Sequence, residues 1–173
     1  MKKEASLKLK KGGLDTIVAY IVVMLPLFYV LVYMIATIYH FSVQQYMNQV
    51  VKEACVMAST YGAITEGHEN YIYSKLAKAL DDDKDGKADV SITYYIRSFD
   101  EKSGIVGNIS DGSSSIPGVK KGDIIGIYVQ SKNPSLLGTV GNFNVFMFGR
   151  GNKKGDLLKY ASYREEIIRN EHP

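Results

Sequence analysis

Nine residues near the middle of the chain gather hard oxygen ligands: Asp81-Asp82-Asp83-Lys84-Asp85-Gly86-Lys87-Ala88-Asp89. Counted as a calcium loop beginning at Asp81, they put Asp81, Asp83, Asp85 and Asp89 at positions 1, 3, 5 and 9 and Gly86 at position 6, where the backbone must turn sharply. Position 12, which should supply a bidentate carboxylate, is Ile92. Two readings stand side by side: a calcium loop short of ligands and therefore weak, or a solvated Asp/Gly turn between a helix and a strand. Calcium is the only cofactor the residue types suggest. His40, His68 and His172 lie far apart in sequence, and none has a nucleophile or carboxylate at motif spacing. Cys55 is a single cysteine and reads as a small packing residue. GxxxxGK[ST], GxSxG and HExxH are all absent, so no enzyme is expected.

The elements that carry this loop begin with a segment of another kind. The 173 residues have an average composition, 46% hydrophobic and 23% charged, with a net charge of +3. That charge is local. Lys2, Lys3, Lys8, Lys10 and Lys11 stand against Glu4 in the first eleven residues, and the remainder is close to neutral. A dispersed basic surface for nucleic acid is thereby excluded. From Thr16 to Val51 there is no Asp, Glu, Lys or Arg, and Ile17 to Ile38 is almost wholly apolar. Its 22 residues make roughly 33 Å of helix, enough to cross the hydrocarbon core. The run is too long for a secretory signal, and Met34 stands where a small-x-small cleavage site would need a small residue. A buried core helix is the other alternative. The lysine flank predicts a cytoplasmic N-terminus and an extracellular C-terminal domain. The expected organisation is a basic leader over 1–13, a membrane helix over 14–39 with Pro26 inside it, and an external head over 40–173.

Helical spacing continues past the membrane. Val43, Met47, Val50, Val51, Ala54, Ala58 and Tyr61 recur every three or four residues up to Gly62, which predicts one continuous helix. Small Ala54, Cys55 and Ala58 allow close approach of another element. Ile72, Leu76 and Leu80 mark a second helix, with Asn70 as its expected N-cap, so the helical part of the head covers 40–80. Beyond Asp81 the period falls to two. Val90, Ile92, Tyr94 and Ile96 make a half-buried strand, and 100–122 reads as a long Gly/Ser-rich loop. Further strands are expected at 123–130, 143–148 and from Leu157 to about Arg164, with a turn over 149–155. Short connections favour an antiparallel sheet over 88–166, one face covered by the helices. The fold class is α+β.

Taken in order, these features resemble a family. A lysine-rich leader ending in Lys10-Lys11-Gly12-Gly13, an apolar helix containing Leu25-Pro26, an amphipathic extension, a second helix and a small sheet are similar to the TadE-like pseudopilins of tight-adherence pili. Pro134-Ser135-Leu136-Leu137-Gly138 and Ala161-Ser162-Tyr163-Arg164-Glu165-Glu166 look like that family's loop and final strand. The resemblance implies a pilin-like fold and a minor structural subunit of a pilus or related secretion and adhesion machine. Its partners would be the membrane, other pilin or pseudopilin subunits and a prepilin peptidase that cuts after Gly12 or Gly13. The long helix, with Pro26, Ala54, Cys55 and Ala58, would serve as anchor and assembly surface. One departure is plain: the family's glutamate five residues after the cut is Ile17 or Val18 here, and the nearby acid is Asp15. Either Asp15 takes that part or the leader is retained. The alternative function is a membrane-anchored extracellular partner-binding module, modulated by calcium and not built into a fibre.

Overall fold

The computed structural model describes residues 2–97, 104–107, 121–140 and 158–169. By internal contacts the chain falls into two units, Met1–Ile38 and Tyr39–Pro173. A first helix, α1, runs from Lys2 to Tyr61 and passes through Gly12, Gly13 and Pro26 without interruption.

In the first unit the large apolar side chains of α1 are mostly exposed. Ile17, Val22, Leu25, Phe28 and Leu31 are each more than half exposed. A core helix would hide these side chains inside the chain, so that alternative fails. Among the described residues this N-terminal helix is the one long and apolar enough to cross a membrane.

The second unit is an α+β head with the long helix packed against a small antiparallel sheet, as the periodicities predict. The strands are β1 (Val90–Arg97), β2 (Gly104–Gly107), β3 (Ile124–Ser131) and β4 (Ala161–Ile167), in the order β2-β1-β3-β4. Every neighbouring pair is antiparallel. Register sets Ile92 opposite Val129, Tyr94 opposite Ile127 and Ile96 opposite Ile125, so β1 and β3 deliver one apolar face to the same core. Across from that face α1 supplies Val43, Met47, Val50, Val51, Ala54, Cys55 and Ala58, all buried. The second helix, α2 (Glu66–Leu80), adds Ile72, Leu76 and Leu80.

Helix α1 stops because Gly62 takes a left-handed conformation, φ 79°, and donates its N–H to Ala58 O at 2.9 Å. A second carbonyl of that last turn, Ser59 O, accepts from Arg169 N at 3.0 Å, which ties the end of the chain's last strand segment to the helix terminus.

Three boundaries differ from the sequence expectation. Helix α2 starts at Glu66 with Thr65, not Asn70, as N-cap. His68 occupies the third helical position, where Glu or Gln usually closes a capping box, and its Nδ1 accepts the Thr65 N–H at 3.1 Å. Burial lowers the His68 pKa, which keeps Nδ1 free to accept. Inside the expected 100–122 loop, Gly104–Gly107 pairs with β1 as an edge strand, Val106 opposite Tyr95. The last strand begins at Ala161 and ends at Ile167, later than predicted at both ends, because its register with β3 places Ile167 opposite Ile124. The strand expected at 143–148 and the turn at 149–155 lie outside the described residues.

Candidate metal centre

The acidic loop is built by the end of α2 and the start of β1. Asp81 leaves the helix with φ −107° and ψ 87°. Two bonds close the loop on its neighbours: Asp89 N donates to Leu80 O at 2.6 Å, and Lys132 N beyond β3 donates to Asp89 O at 2.8 Å. Within it, Lys84 (φ 62°) and Gly86 (φ 84°) are both left-handed. Glycine adopts this freely, whereas a residue with a Cβ pays about 1 kcal/mol for it, so the turn at Lys84 is imposed by its surroundings.

Those surroundings are the carboxylates. Asp81 accepts from Asp85 N at 3.1 Å through Oδ1 and from Gly86 N at 3.0 Å through Oδ2. Asp83 Oδ1 accepts from Asp85 N at 3.2 Å, and Asp85 Oδ1 accepts from Lys87 N at 2.7 Å. The side chains therefore wrap the backbone inward, and one oxygen from each of Asp81, Asp83 and Asp85 lies within 4.8 Å of the other two. Each carboxylate retains lone pairs beyond those its N–H partners use. Three hard anionic donors at this spacing suit a divalent cation with oxygen preference, such as calcium, with water and main-chain carbonyls completing the sphere.

Asp89, the fourth sequence candidate, is not in that group: its Oδ2 accepts from Asp82 N at 3.1 Å. Ile92 is 7% exposed in the core, so position 12 brings nothing to a metal. The Asp85 N–H pulls the Asp83 carboxyl down, but desolvation, the charges of Asp85 and Asp89 and a hydrogen bond with Asp81 outweigh it and hold the group above its ordinary value.

The other sequence candidates fall in different places. Gly13 and Asp15 are exposed on α1, and Pro26 is exposed within the apolar stretch. Ala54, Cys55 and Ala58 are fully buried in the core formed with this chain's own sheet. Cys55 Sγ lies 3.6 Å from both Ile125 O and Arg164 O. Burial, with the Glu166 charge, pushes its pKa up to about 12, so it is a thiol and a packing residue rather than a nucleophile. His40 stacks on Tyr160 with ring centroids 4.9 Å apart.

Sequence spacing gave no hint of Asn133. Its Nδ2 donates to Asp82 Oδ2 at 2.6 Å, and it comes from the segment after β3, 51 residues away. Only the β1–β3 pairing brings it to the loop. A second surface feature is a shallow groove of about 620 Å³ between α1 and α2, lined by Val56, Met57, Tyr61, His68 and Tyr71. No protein-family model, curated protein or solved structure matches the chain.

Proposed function

We propose that this is a single-pass membrane protein, N-terminus cytoplasmic, whose extracellular α+β head binds a partner under the control of a divalent cation held by Asp81, Asp83 and Asp85. The observation that carries the reading is the convergence of those three carboxylates at the junction of α2 and β1. A cation there would fix the one loop that links the helical layer to the sheet. The lysine-rich flank supports the orientation. Affinity in the upper micromolar to millimolar range, about 10⁻⁴ to 10⁻³ M, suits an extracellular site with few protein ligands.

The test is calorimetry on the full chain in detergent. Calcium should release or absorb heat with a saturable isotherm, and Asp81→Ala/Asp83→Ala should abolish it while leaving the far-ultraviolet spectrum unchanged. Identical isotherms for the two proteins would refute the cation site.

A second reading is the pseudopilin-like subunit, with the leader removed before assembly. It is favoured by α1 itself, one unbroken helix that is apolar and mostly exposed over 17–38 and contributes Val43 to Ala58 to the core beneath the sheet. Such a helix can exchange lipid tails for neighbouring helices without changing its own fold. On this reading the mature protein begins at Gly13 or Leu14 by mass spectrometry, Gly12→Leu/Gly13→Leu blocks the cut, and the protein is found in sheared surface fibres. An intact Met1 and absence from fibres would leave the anchored module.

A further inference from the structure

Where α1 gives way to α2, one imidazole closes the junction. Helix α1 ends at Tyr61 and α2 begins at Glu66, and between them Ala63 and Ile64 are buried in the head. The first turn of α2 is pinned by His68, which is itself only 9% exposed. Its Nδ1 lies 3.1 Å from the Thr65 main-chain nitrogen and 2.9 Å from Thr65 Oγ1. The hydroxyl can turn to suit either state of the ring. The main-chain contact has no such freedom, because an N–H needs an acceptor and Nδ1 is one only while it carries no proton. A glutamine at this position of a capping box would accept at every pH.

The same side chain borders the surface groove of about 620 Å³. Thr65, His68 and Tyr71 line it together with Val56, Met57 and Tyr61 of α1. The Tyr61 ring lies 6.0 Å from the imidazole. Around His68 the titratable groups are thus Tyr61 from α1, Tyr71 from the groove wall, and Glu66 and Glu69 from the first turn of α2 itself. Among the described residues no lysine, arginine or carboxylate lines the groove. Burial is what lowers the His68 pKa from its ordinary 6.5, and no charge from the helices or the described sheet adds to it. The positive end of the α2 dipole also opposes an imidazolium in the first turn.

We infer that His68 is a pH-sensitive latch on the α1–α2 junction: protonation turns Nδ1 from acceptor to donor, frees the Thr65 N–H, and releases the first turn of α2 so that the groove beside Met57 widens. The sign follows from burial. A proton binds more readily to the released ring, which meets water, than to the enclosed one, so the released state gains as pH falls below the ordinary value of 6.5 and is suppressed above it. Ala63 and Ile64 stay buried in the core, which confines the change to the start of α2.

The latch depends on neither the cation site nor the membrane helix, and the experiment is run in EDTA. The isotopically labelled full chain in detergent is followed by NMR from about pH 7.5 to about pH 5, the range in which an imidazole changes charge. At the upper end the His68 ring should be neutral and protonated on Nε2. Exchange protection of the Thr65 amide, corrected for the intrinsic effect of pH, should fall about fivefold on acidification, the effect of losing one capping hydrogen bond. The Met57 methyl signal should move with the same midpoint. His68→Gln supplies an acceptor that does not titrate, so both signals should stay level across the range, and His40 and His172 remain in that variant as internal controls. A ring protonated on Nδ1 at the upper end, constant Thr65 protection in the unaltered chain, or an equal fall in His68→Gln would overturn the inference.

Discussion

Replacing Ala54 and Ala58 together by leucine is expected to unfold the head. Both residues are fully buried in the core that α1 shares with α2 and the sheet. Between them, Cys55 Sγ touches the main-chain oxygens of Ile125 and Arg164 at 3.6 Å. At Cys55 this stretch of helix thus meets main chain of β3 and β4, which cannot rotate away as a side chain can. Overpacking a core typically costs about 1–3 kcal/mol per site, and a rigid opposing surface places both substitutions at the upper end. Two neighbours on one face couple, so the total is roughly 4–6 kcal/mol against a native stability of about 5–15 kcal/mol. The protein has thirteen tyrosines and no tryptophan, and fully buried Tyr94 makes the near-ultraviolet tyrosine signal a report on this core. In detergent, that signal should be lost at a much lower urea concentration in the double variant. Met57→Leu, a neighbour 38% exposed, should leave the midpoint unchanged. An unaltered midpoint in the double variant, with a defect only in assembly, would mean that these alanines face other subunits rather than the sheet.

How far the sequence reaches is instructive at the same helix. The spacing of Val43, Met47, Val50, Val51, Ala54 and Ala58 identifies the core face of α1 because burial alone decides those positions. The start of α2 escapes because His68 fills a place normally read by Glu or Gln, and its role depends on which ring nitrogen is free. Strand β2 escapes because Gly104 and Gly107 bound only two apolar residues, and the strand exists through pairing with β1 rather than through its own propensity. Strand β4 is displaced for a related reason. Arg164, Glu165 and Glu166 look like the end of a strand, yet among the described strands they lie at the edge of the sheet, where charge is tolerated.

The candidate site divides in the same way. Asp81, Asp83 and Asp85 are legible because their side chains bond the backbone within a few residues, so local spacing determines local geometry. Asp89 has suitable spacing, but its carboxylate lies outside the group of three and holds the Asp82 N–H instead. Asn133 carries no signal at all, since its approach to the loop depends on strand pairing across distant parts of the chain. Local motifs thus reveal what a loop can offer, and the sheet decides which of those groups remain available.

Replacing Val23 and Leu27 together by arginine is expected to release the protein from the membrane. Both lie near the middle of the Ile17–Ile38 run, and both are more than half exposed, so neither substitution disturbs a packed interior. At the centre of a spanning helix an aliphatic side chain favours insertion by about 0.3–0.6 kcal/mol and arginine opposes it by about 2.5–3.5 kcal/mol. The two changes therefore cost roughly 6–8 kcal/mol, even where each guanidinium draws its charge toward an interface. Positions 23 and 27 are also one turn apart on the same face, so the two charges repel and compete for the same route to water. After a carbonate wash the unaltered chain should pellet with membranes and the variant should stay in the supernatant. Val23→Leu/Leu27→Ile, which preserves the apolar surface, should behave like the parent. The head's apolar core draws on α1 only from Val43 onward, so the arginine variant should keep its near-ultraviolet tyrosine signal. Continued retention in the washed pellet would mean that the head, not this helix, holds the protein to the membrane, and both the anchored-module and the pseudopilin readings would then lose their common premise.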